Sequence, residues 1–121
     1  MKLYTEKILK LTTEMPHTGR IENADTVVSV RSPICGSCVT VFINKKNGKI
    51  SDFKQEIKAC ALGQASASIL GGNIIGLDYS NICKLHKSVK DMLEKGSPPP
   101  PPPFSNYELL RPACEFKNRH A

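Results

Sequence analysis

Apolar positions near the start of the chain predict a short amphipathic helix. The residues at helical spacing are Leu3, Ile8, Leu9 and Leu11. Because the residue that precedes a proline disfavours helical geometry, this helix is expected to stop before Pro16. It would pack as a small cover on the rest of the domain.

Three extended segments then predict the strands of an antiparallel sheet. They are Thr26 to Arg31, Cys38 to Asn44 and Lys49 to Lys58. The second and third alternate apolar and polar residues on either side of Asn47-Gly48, a dipeptide typical of tight hairpins. This alternation gives the sheet one buried face.

Two further helices are predicted after the sheet. Small residues take over from Ala59, and this helix is expected to end at Gly71-Gly72. A longer helix is predicted from about Asp78 to Glu94, where apolar residues recur at helical spacing. They are Ile82, Leu85, Val89, Met92 and Leu93. The order of a helix, a sheet and two helices predicts an α+β fold.

The C-terminal quarter of the chain has a different composition. Six of the nine prolines form a run from Pro98 to Pro103, which predicts a stiff extended spacer of about 3.1 Å per residue. Few large apolar residues follow Gly96, so we expect the core to come from roughly the first 95 residues. We therefore divide the chain into an α+β domain (1–96), a proline-rich spacer (97–109) and a C-terminal tail (110–121).

Charge and cysteine content narrow the function classes. The chain has 121 residues with 17 Lys+Arg against 11 Asp+Glu, a net charge of +6. Its lysines are scattered and are not interleaved with stacking aromatics, so we do not expect nucleic-acid binding. No apolar run approaches the length of about 20 residues that spans a bilayer, and we expect a cytoplasmic protein without a membrane partner. Five cysteines in that compartment favour metal binding or reactivity over disulfides.

Two cysteines occupy positions suited to chemistry. Cys35 lies in a turn between two predicted strands, next to Gly36, and would be exposed or at a rim. Cys60 lies where the last strand gives way to a helix, and a helix N-terminus presents free N–H groups that favour thiolate over thiol. A buried structural role is the alternative for each, since free cysteine is often buried.

The other thiols carry weaker signals. The Cys35-Gly36-Ser37-Cys38 spacing resembles redox and zinc motifs, but a β-branched strand follows it and the chain has no second close pair. Strand alternation indicates a packed or strand-edge Cys38. Cys83 and His86 lie three apart on the last predicted helix, a spacing that any such pair shares.

Three short motifs occur along the chain in a characteristic order. They are Leu3-Tyr4-Thr5-Glu6-Lys7, then Pro33-Ile34-Cys35-Gly36, then Ala59-Cys60-Ala61 at the start of a helix rich in Ala and Ser. Together they resemble the iron-sulfur cluster scaffold family of IscU and the NifU N-terminal domain, from Leu3 to about Glu94 and again near Leu110. The resemblance implies an α+β fold with a three-stranded antiparallel sheet. It also implies a cluster site of three cysteines with a nearby aspartate and histidine, of which Cys35 and Cys60 match two cysteines.

The third cysteine of the family has two alternative matches. Leu110-Arg111-Pro112-Ala113-Cys114 is similar to the family's Leu-Pro-Pro-Val-Lys segment, which precedes a His-Cys pair. In one alignment His120 matches the family histidine and Ala121 replaces the cysteine; in the other, Cys114 is the third cysteine. Ser37 replaces the family aspartate, and the chain stops where the family continues into a C-terminal helix.

The resemblance implies a carrier and not an enzyme. The expected function is a scaffold on which a two-iron two-sulfide cluster is assembled by Cys35 and Cys60 with Cys114 or His120. Its implied partners are a cysteine desulfurase that supplies sulfur, a chaperone and acceptor apoproteins. One alternative is a zinc-bound sulfur-transfer protein of the SufU type that uses the same residues. Another is a degenerate member of the family that acts only in protein interaction.

The position of the C-terminal tail determines whether the third ligand comes from the same chain or from a second copy. We expect it to fold back so that Leu109, Leu110 or Phe116 packs on the domain and brings Cys114 or His120 near Cys35 and Cys60. The alternative is a homo-oligomer in which a swapped tail completes the site of a second copy.

Overall fold

The structure is a computed structural model that describes residues 5–32 and 36–115. For Cys114 and Glu115 it describes the backbone alone. The α-helices are α1 (Glu6–Thr13), α2 (Ala61–Gly71) and α3 (Tyr79–Lys95). The strands are β1 (Thr26–Arg31), β2 (Cys38–Lys46) and β3 (Lys49–Lys58), and a 3₁₀ helix spans Ser105–Glu115. The predicted α+β fold is confirmed. Within these ranges, no helix combines the length and apolar character needed to cross a membrane.

The three strands form one antiparallel sheet in the order β1-β2-β3. The β2–β3 hairpin turns at Asn47 (φ 55°) and Gly48 (φ 76°), two positive values that match the tight turn predicted from this dipeptide. One face of the sheet, here called the inner face, carries Val39 and Val41 of β2 and the buried Phe53 and Gln55 of β3. This face looks toward α2.

Residues at the helix ends fix where α2 and α3 begin and stop. Cys60 is the N-cap of α2, with an extended backbone and no side-chain capping bond. Asp78 caps α3 by accepting from Asn81 N at 2.8 Å, and the Asn81 side chain accepts from Asp78 N at 3.1 Å. This reciprocal pair satisfies backbone donors that the first helical turn leaves free. The helix ends at Gly96, whose φ of 70° is a left-handed value that glycine adopts without strain.

Buried apolar side chains form two clusters. The larger is helical, and Ile8 of α1, Ala65 of α2 and Met92 of α3 are each completely buried in it. The smaller is built on the sheet from Ile50, Phe53 and Ile74. Leu70 of α2 and Leu77 after it pack against both clusters, so α2 and the segment that follows it join the helices to the sheet.

The C-terminal segment contributes to the helical cluster. Phe104, Tyr107, Leu110 and Ala113 are all buried there. The expectation that the core comes from roughly the first 95 residues is therefore wrong, because the period of three residues in a 3₁₀ helix places these four side chains on one side. The expected packing of Leu110 on the domain is confirmed, whereas Phe116 lies outside the described residues. The proposed domain division stays a prediction.

Candidate functional site

A cavity of about 270 Å³ lies between the inner face of the sheet, α2, α3 and the 3₁₀ helix. Its walls are mostly apolar, and they include residues from every one of these elements. Its lining residues include Ser32, Ser37, Cys60, Gly63, Leu110 and Ala113. This cavity is the candidate functional site.

Cys60 is the thiol of the cavity wall. It is half-buried and packs against the helical cluster. Its carbonyl oxygen accepts from Gln64 N at 2.9 Å, and Gln64 Nε2 donates to Ala59 O at 2.8 Å. Gly63 packs so closely that an added Cβ would lie 2.8 Å from the Ala59 Cβ. Gln64 and Gly63 of α2 therefore fix the backbone at Ala59 and Cys60. This is the helix N-terminus predicted from the sequence.

Two serines bring the end of β1 and the start of β2 to the same wall. Ser32 N donates to Ser37 O at 2.8 Å, and Gly36 N donates to Ser32 O at 3.0 Å. Ser32 Oγ is buried and has no hydrogen-bond partner among the described residues. Ser32 and Ser37 flank residues 33–35, which include Cys35 and lie outside the described residues. The sequence neighbours of Cys35 thus share a cavity with Cys60.

The 3₁₀ helix forms another part of the wall through Leu110 and Ala113. Cys114 follows Ala113 directly, and its backbone belongs to the same helix. His120 lies outside the described residues. Among the described residues, no group of three His, Cys, Asp or Glu side chains is close enough to hold a metal ion.

Three other candidate residues do not line this cavity. Cys38 is half-buried at the start of β2, and strand alternation puts it on the opposite face from Val39 and Val41. Cys83 is exposed on α3, where its hydrogen bond to the Tyr79 hydroxyl raises the pKa of that phenol. His86 lines a second cavity beside α3. None of the three therefore belongs to the wall that holds Cys60.

The sequence interpretation missed the residues that attach the 3₁₀ helix. Tyr107 Oη donates to Ser66 O at 3.0 Å, and burial raises the pKa of the Tyr107 phenol while the contact with Ser66 lowers it. Arg111 donates to Glu108 Oε1 at 2.7 Å and Oε2 at 2.8 Å, which lowers the pKa of Glu108. The recurrence of buried residues every three positions from Phe104 was the available signal for this helix.

Comparison with protein families matches residues 3–107 to the NifU-like N terminal domain. The chain belongs to this family. Solved structures of family members share the fold. The crystal structure of a nitrogen-fixing NifU-like protein (N-terminal) from Brucella abortus has a TM-score of 0.94 at 35% identity, over 98% of this chain and 83% of that chain. A putative iron-sulfur cluster assembly scaffold protein for the SUF system from Fervidobacterium islandicum has a TM-score of 0.87 at 25% identity, over 98% of this chain and 86% of that chain.

Curated relatives in the family are longer than the stretch they share with this chain. An iron-sulfur cluster assembly scaffold protein IscU of Archaeoglobus fulgidus is 33% identical over 55% of this chain and 44% of its own length. The IscU scaffold protein of Thermotoga maritima is 28% identical over 74% of this chain and 63% of its own length. A zinc-dependent sulfurtransferase SufU of Bacillus subtilis is 24% identical over 86% of this chain and 71% of its own length. The chain thus spans 44% to 71% of the length of these relatives.

Proposed function

We propose that this protein is a scaffold on which an iron-sulfur cluster is assembled. In this proposal it binds iron through cysteine thiolates, receives sulfur from a cysteine desulfurase and passes the cluster to acceptor apoproteins. The iron-sulfur unit is cargo, most simply two iron and two sulfide ions, and the protein is a carrier without turnover of its own. The names of the IscU relatives support this role.

One observation carries the proposal: the cavity wall holds Cys60 together with the sequence neighbours of two other candidate ligands. Ser32 and Ser37 flank Cys35, and Ala113 precedes Cys114. Three segments that are distant in sequence therefore converge where three thiolates would be needed. Thiolates are soft ligands that suit iron in iron-sulfur clusters.

The described residues fit such a cargo in a second respect. Ser32 Oγ is a buried hydroxyl that has no partner within residues 5–32 and 36–115, so in this proposal it donates to a thiolate or sulfide in the cavity. Ser37 replaces the aspartate expected from the family, and a serine supplies no carboxylate oxygen to a metal. We therefore propose Cys35, Cys60 and Cys114 as the ligand set, with His120 as the alternative to Cys114.

The proposed partners follow from the scaffold role. A cysteine desulfurase would donate sulfur, a chaperone would assist release, and apoproteins would accept the cluster. We place this work in the cytoplasm, because thiols stay reduced there and remain available as ligands.

Anaerobic reconstitution with ferric iron, sulfide and dithiothreitol tests the proposal. The wild-type protein should gain visible charge-transfer absorption, and Cys60→Ser should lose most of it. Cys83→Ser and Cys38→Ser are matched controls, because they remove an exposed thiol and a half-buried thiol on the other face of the sheet. Equal reconstitution of Cys60→Ser and the controls would refute the proposed site.

Point variants also distinguish the two choices of third ligand. Deleting residues 97–121 would remove four core side chains with the candidate ligands, so loss of cluster in that variant would not be informative. Cys114→Ser and His120→Ala instead keep all four of those core side chains. If Cys114 is the ligand, only Cys114→Ser should reduce cluster content to the level of Cys60→Ser.

A zinc-bound sulfur-transfer protein is the second candidate function. It is favoured by the Bacillus relative named as a zinc-dependent sulfurtransferase and by the same set of Cys and His donors, which zinc accepts. Metal analysis of aerobically purified protein separates the two functions. Near-stoichiometric zinc together with stimulation of cysteine desulfurase turnover would favour this candidate, whereas zinc without stimulation would favour the scaffold.

A further inference from the structure

Strand β1 lies at an edge of the three-stranded sheet. The inner side of β1 pairs with β2. No strand among the described residues pairs with its outer side. Val27, Val28 and Val30 are 54%, 44% and 65% exposed. Edge strands are normally protected by charges, prolines or bulges, because their free backbone groups can pair with another chain. Apart from the terminal Arg31, β1 has none of these.

Hydrogen bonding at the end of β1 indicates which backbone groups point outward. Ser32 N donates to Ser37 O, so the N–H of Ser32 points toward β2. In an antiparallel pair the residues that bond to the neighbour alternate with those that do not. Val28 and Val30 therefore bond to β2, whereas Val27, Ser29 and Arg31 present N–H and C=O groups at the outer edge.

We propose that this edge pairs antiparallel with β1 of a second copy of the chain, about a two-fold axis at Val28. Val27 of each copy then lies opposite Ser29 of the other, and both residues have outward backbone groups that exchange hydrogen bonds. The two three-stranded sheets become one continuous sheet of six strands. Such an interface is self-complementary, as a two-fold interface must be.

Charge complementarity favours a second copy and selects this register. The two-fold axis at Val28 places Asp25 of one copy opposite Arg31 of the other, at both ends of the paired strands. Both residues are at least partly exposed. Asp25 Oδ2 accepts from Lys45 N at 2.9 Å and Asp25 N donates to Asn44 Oδ1 at 3.0 Å, so the carboxylate is held on the β2 side of β1. The long Arg31 side chain of the second copy therefore has to pass over the strand to reach Oδ1. The neighbouring register, with the axis at Ser29, would instead put Arg31 opposite Val27.

Sedimentation velocity over a concentration series up to the millimolar range measures the association. Wild type should dimerise reversibly, and Ser29→Pro should weaken the dimer at least about tenfold, since it deletes an outward N–H in each copy. An edge strand tolerates a proline whose N–H position faces solvent, so the monomer should keep its fold. Ser29→Ala is the matched control: it also removes the hydroxyl that contacts Thr40 Oγ1 at 2.7 Å, but it keeps the N–H.

Cross-linking tests the register independently. In the proposed dimer the two Val28 residues are a directly opposite, non-hydrogen-bonded pair with Cα atoms about 4.5 Å apart, which a disulfide can join. Val28→Cys should therefore form a disulfide-linked dimer under mild oxidation. Mass spectrometry should identify the peptide in which the two introduced thiols are joined, with wild type treated in the same way as the control. The two Ser29 residues lie diagonally at about 7–8 Å, so Ser29→Cys should link poorly.

Each outcome supports or overturns the proposal. A wild-type chain that stays monomeric through the concentration series overturns the proposal. The edge of β1 would then be free to pair with a strand of another protein. A dimer that Ser29→Pro does not weaken forms through a different surface. Efficient linking of Ser29→Cys without linking of Val28→Cys refutes the register. If circular dichroism shows that Ser29→Pro is unfolded, the cross-links decide: a disulfide between the two introduced thiols of Val28→Cys supports the proposal, and its absence overturns it.

Discussion

Gln55 is a buried polar residue whose replacement should destabilise the fold measurably. It is 1% exposed on the inner face of β3. Its Nε2 donates to Pro16 O at 3.1 Å and to Ala67 O at 3.2 Å, and so links the segment after α1 to α2. Gln55→Met keeps nearly the same length and volume but removes these two hydrogen bonds to carbonyls, together with a longer contact to Met15 Sδ at 3.6 Å.

The expected cost follows from those two bonds. Each neutral intramolecular hydrogen bond contributes about 1 kcal/mol net, so Gln55→Met should lower the free energy of unfolding by about 2 kcal/mol. For a chain of 121 residues, 1 kcal/mol corresponds to about 4 °C in Tm, and the expected shift is about 8 °C. Gly71 makes repacking difficult, because its Cα is so close that a Cβ there would lie 2.7 Å from Gln55 Nε2.

Urea unfolding followed by circular dichroism measures this cost, with Gln64→Met as the matched control. The Gln64 side chain also donates to a backbone carbonyl, but it makes one bond, to Ala59 O, from a half-buried position. Its replacement should cost less than about 1 kcal/mol, because water can reach the freed carbonyl. A Gln55→Met protein within about 0.5 kcal/mol of wild type, or no less stable than Gln64→Met, would refute this account of the core.

Two further predictions concern α3 and the 3₁₀ helix. Asp78→Ala should lower the free energy of unfolding by about 1 kcal/mol in urea titrations, because it removes the side-chain cap on Asn81 N; an unchanged midpoint would contradict the role of this cap. Burial raises the pKa of the Tyr107 phenol above its ordinary value of 10.0, so the stability that this neutral phenol contributes is lost as pH rises from 10.0 through the folded-state pKa. Tyr107→Phe should therefore show a shallower alkaline loss of stability than wild type, and identical slopes would contradict it.

Local patterns in the sequence were sufficient to predict most of the regular structure. The predicted strands at Thr26 to Arg31 and Lys49 to Lys58 agree with β1 and β3, and the Asn47-Gly48 turn lies where it was expected. The reason is that strand alternation and turn chemistry are properties of short stretches. Gln55 shows the limit of such patterns, because its polar side chain on the buried face is satisfied by carbonyls of distant segments.

The site was predictable only in part, for a similar reason. Cys60 was expected at a helix N-terminus, and it caps α2. The cavity itself depends on the spacing between the sheet, α3 and the 3₁₀ helix, which no local pattern encodes. The 3₁₀ helix was missed because the proline run before it suggested an extended spacer. The ligand roles of Cys35, Cys60, Cys114 and His120 all stay predictions.

The tether made by Arg111 turns the proline-rich segment into a closed loop. Arg111 donates to Gly96 O and Ser97 O, both at 3.2 Å, at the point where the segment leaves α3. Its two ends are therefore fixed to each other, in addition to the burial of Phe104 and Tyr107 between them. Since the entropy of closing a loop rises only slowly with length, by about 0.6 kcal/mol for each doubling, prolines could be gained or lost in evolution at little cost. Leu110 and Ala113 would keep their places in the cavity wall while the length of the loop drifted.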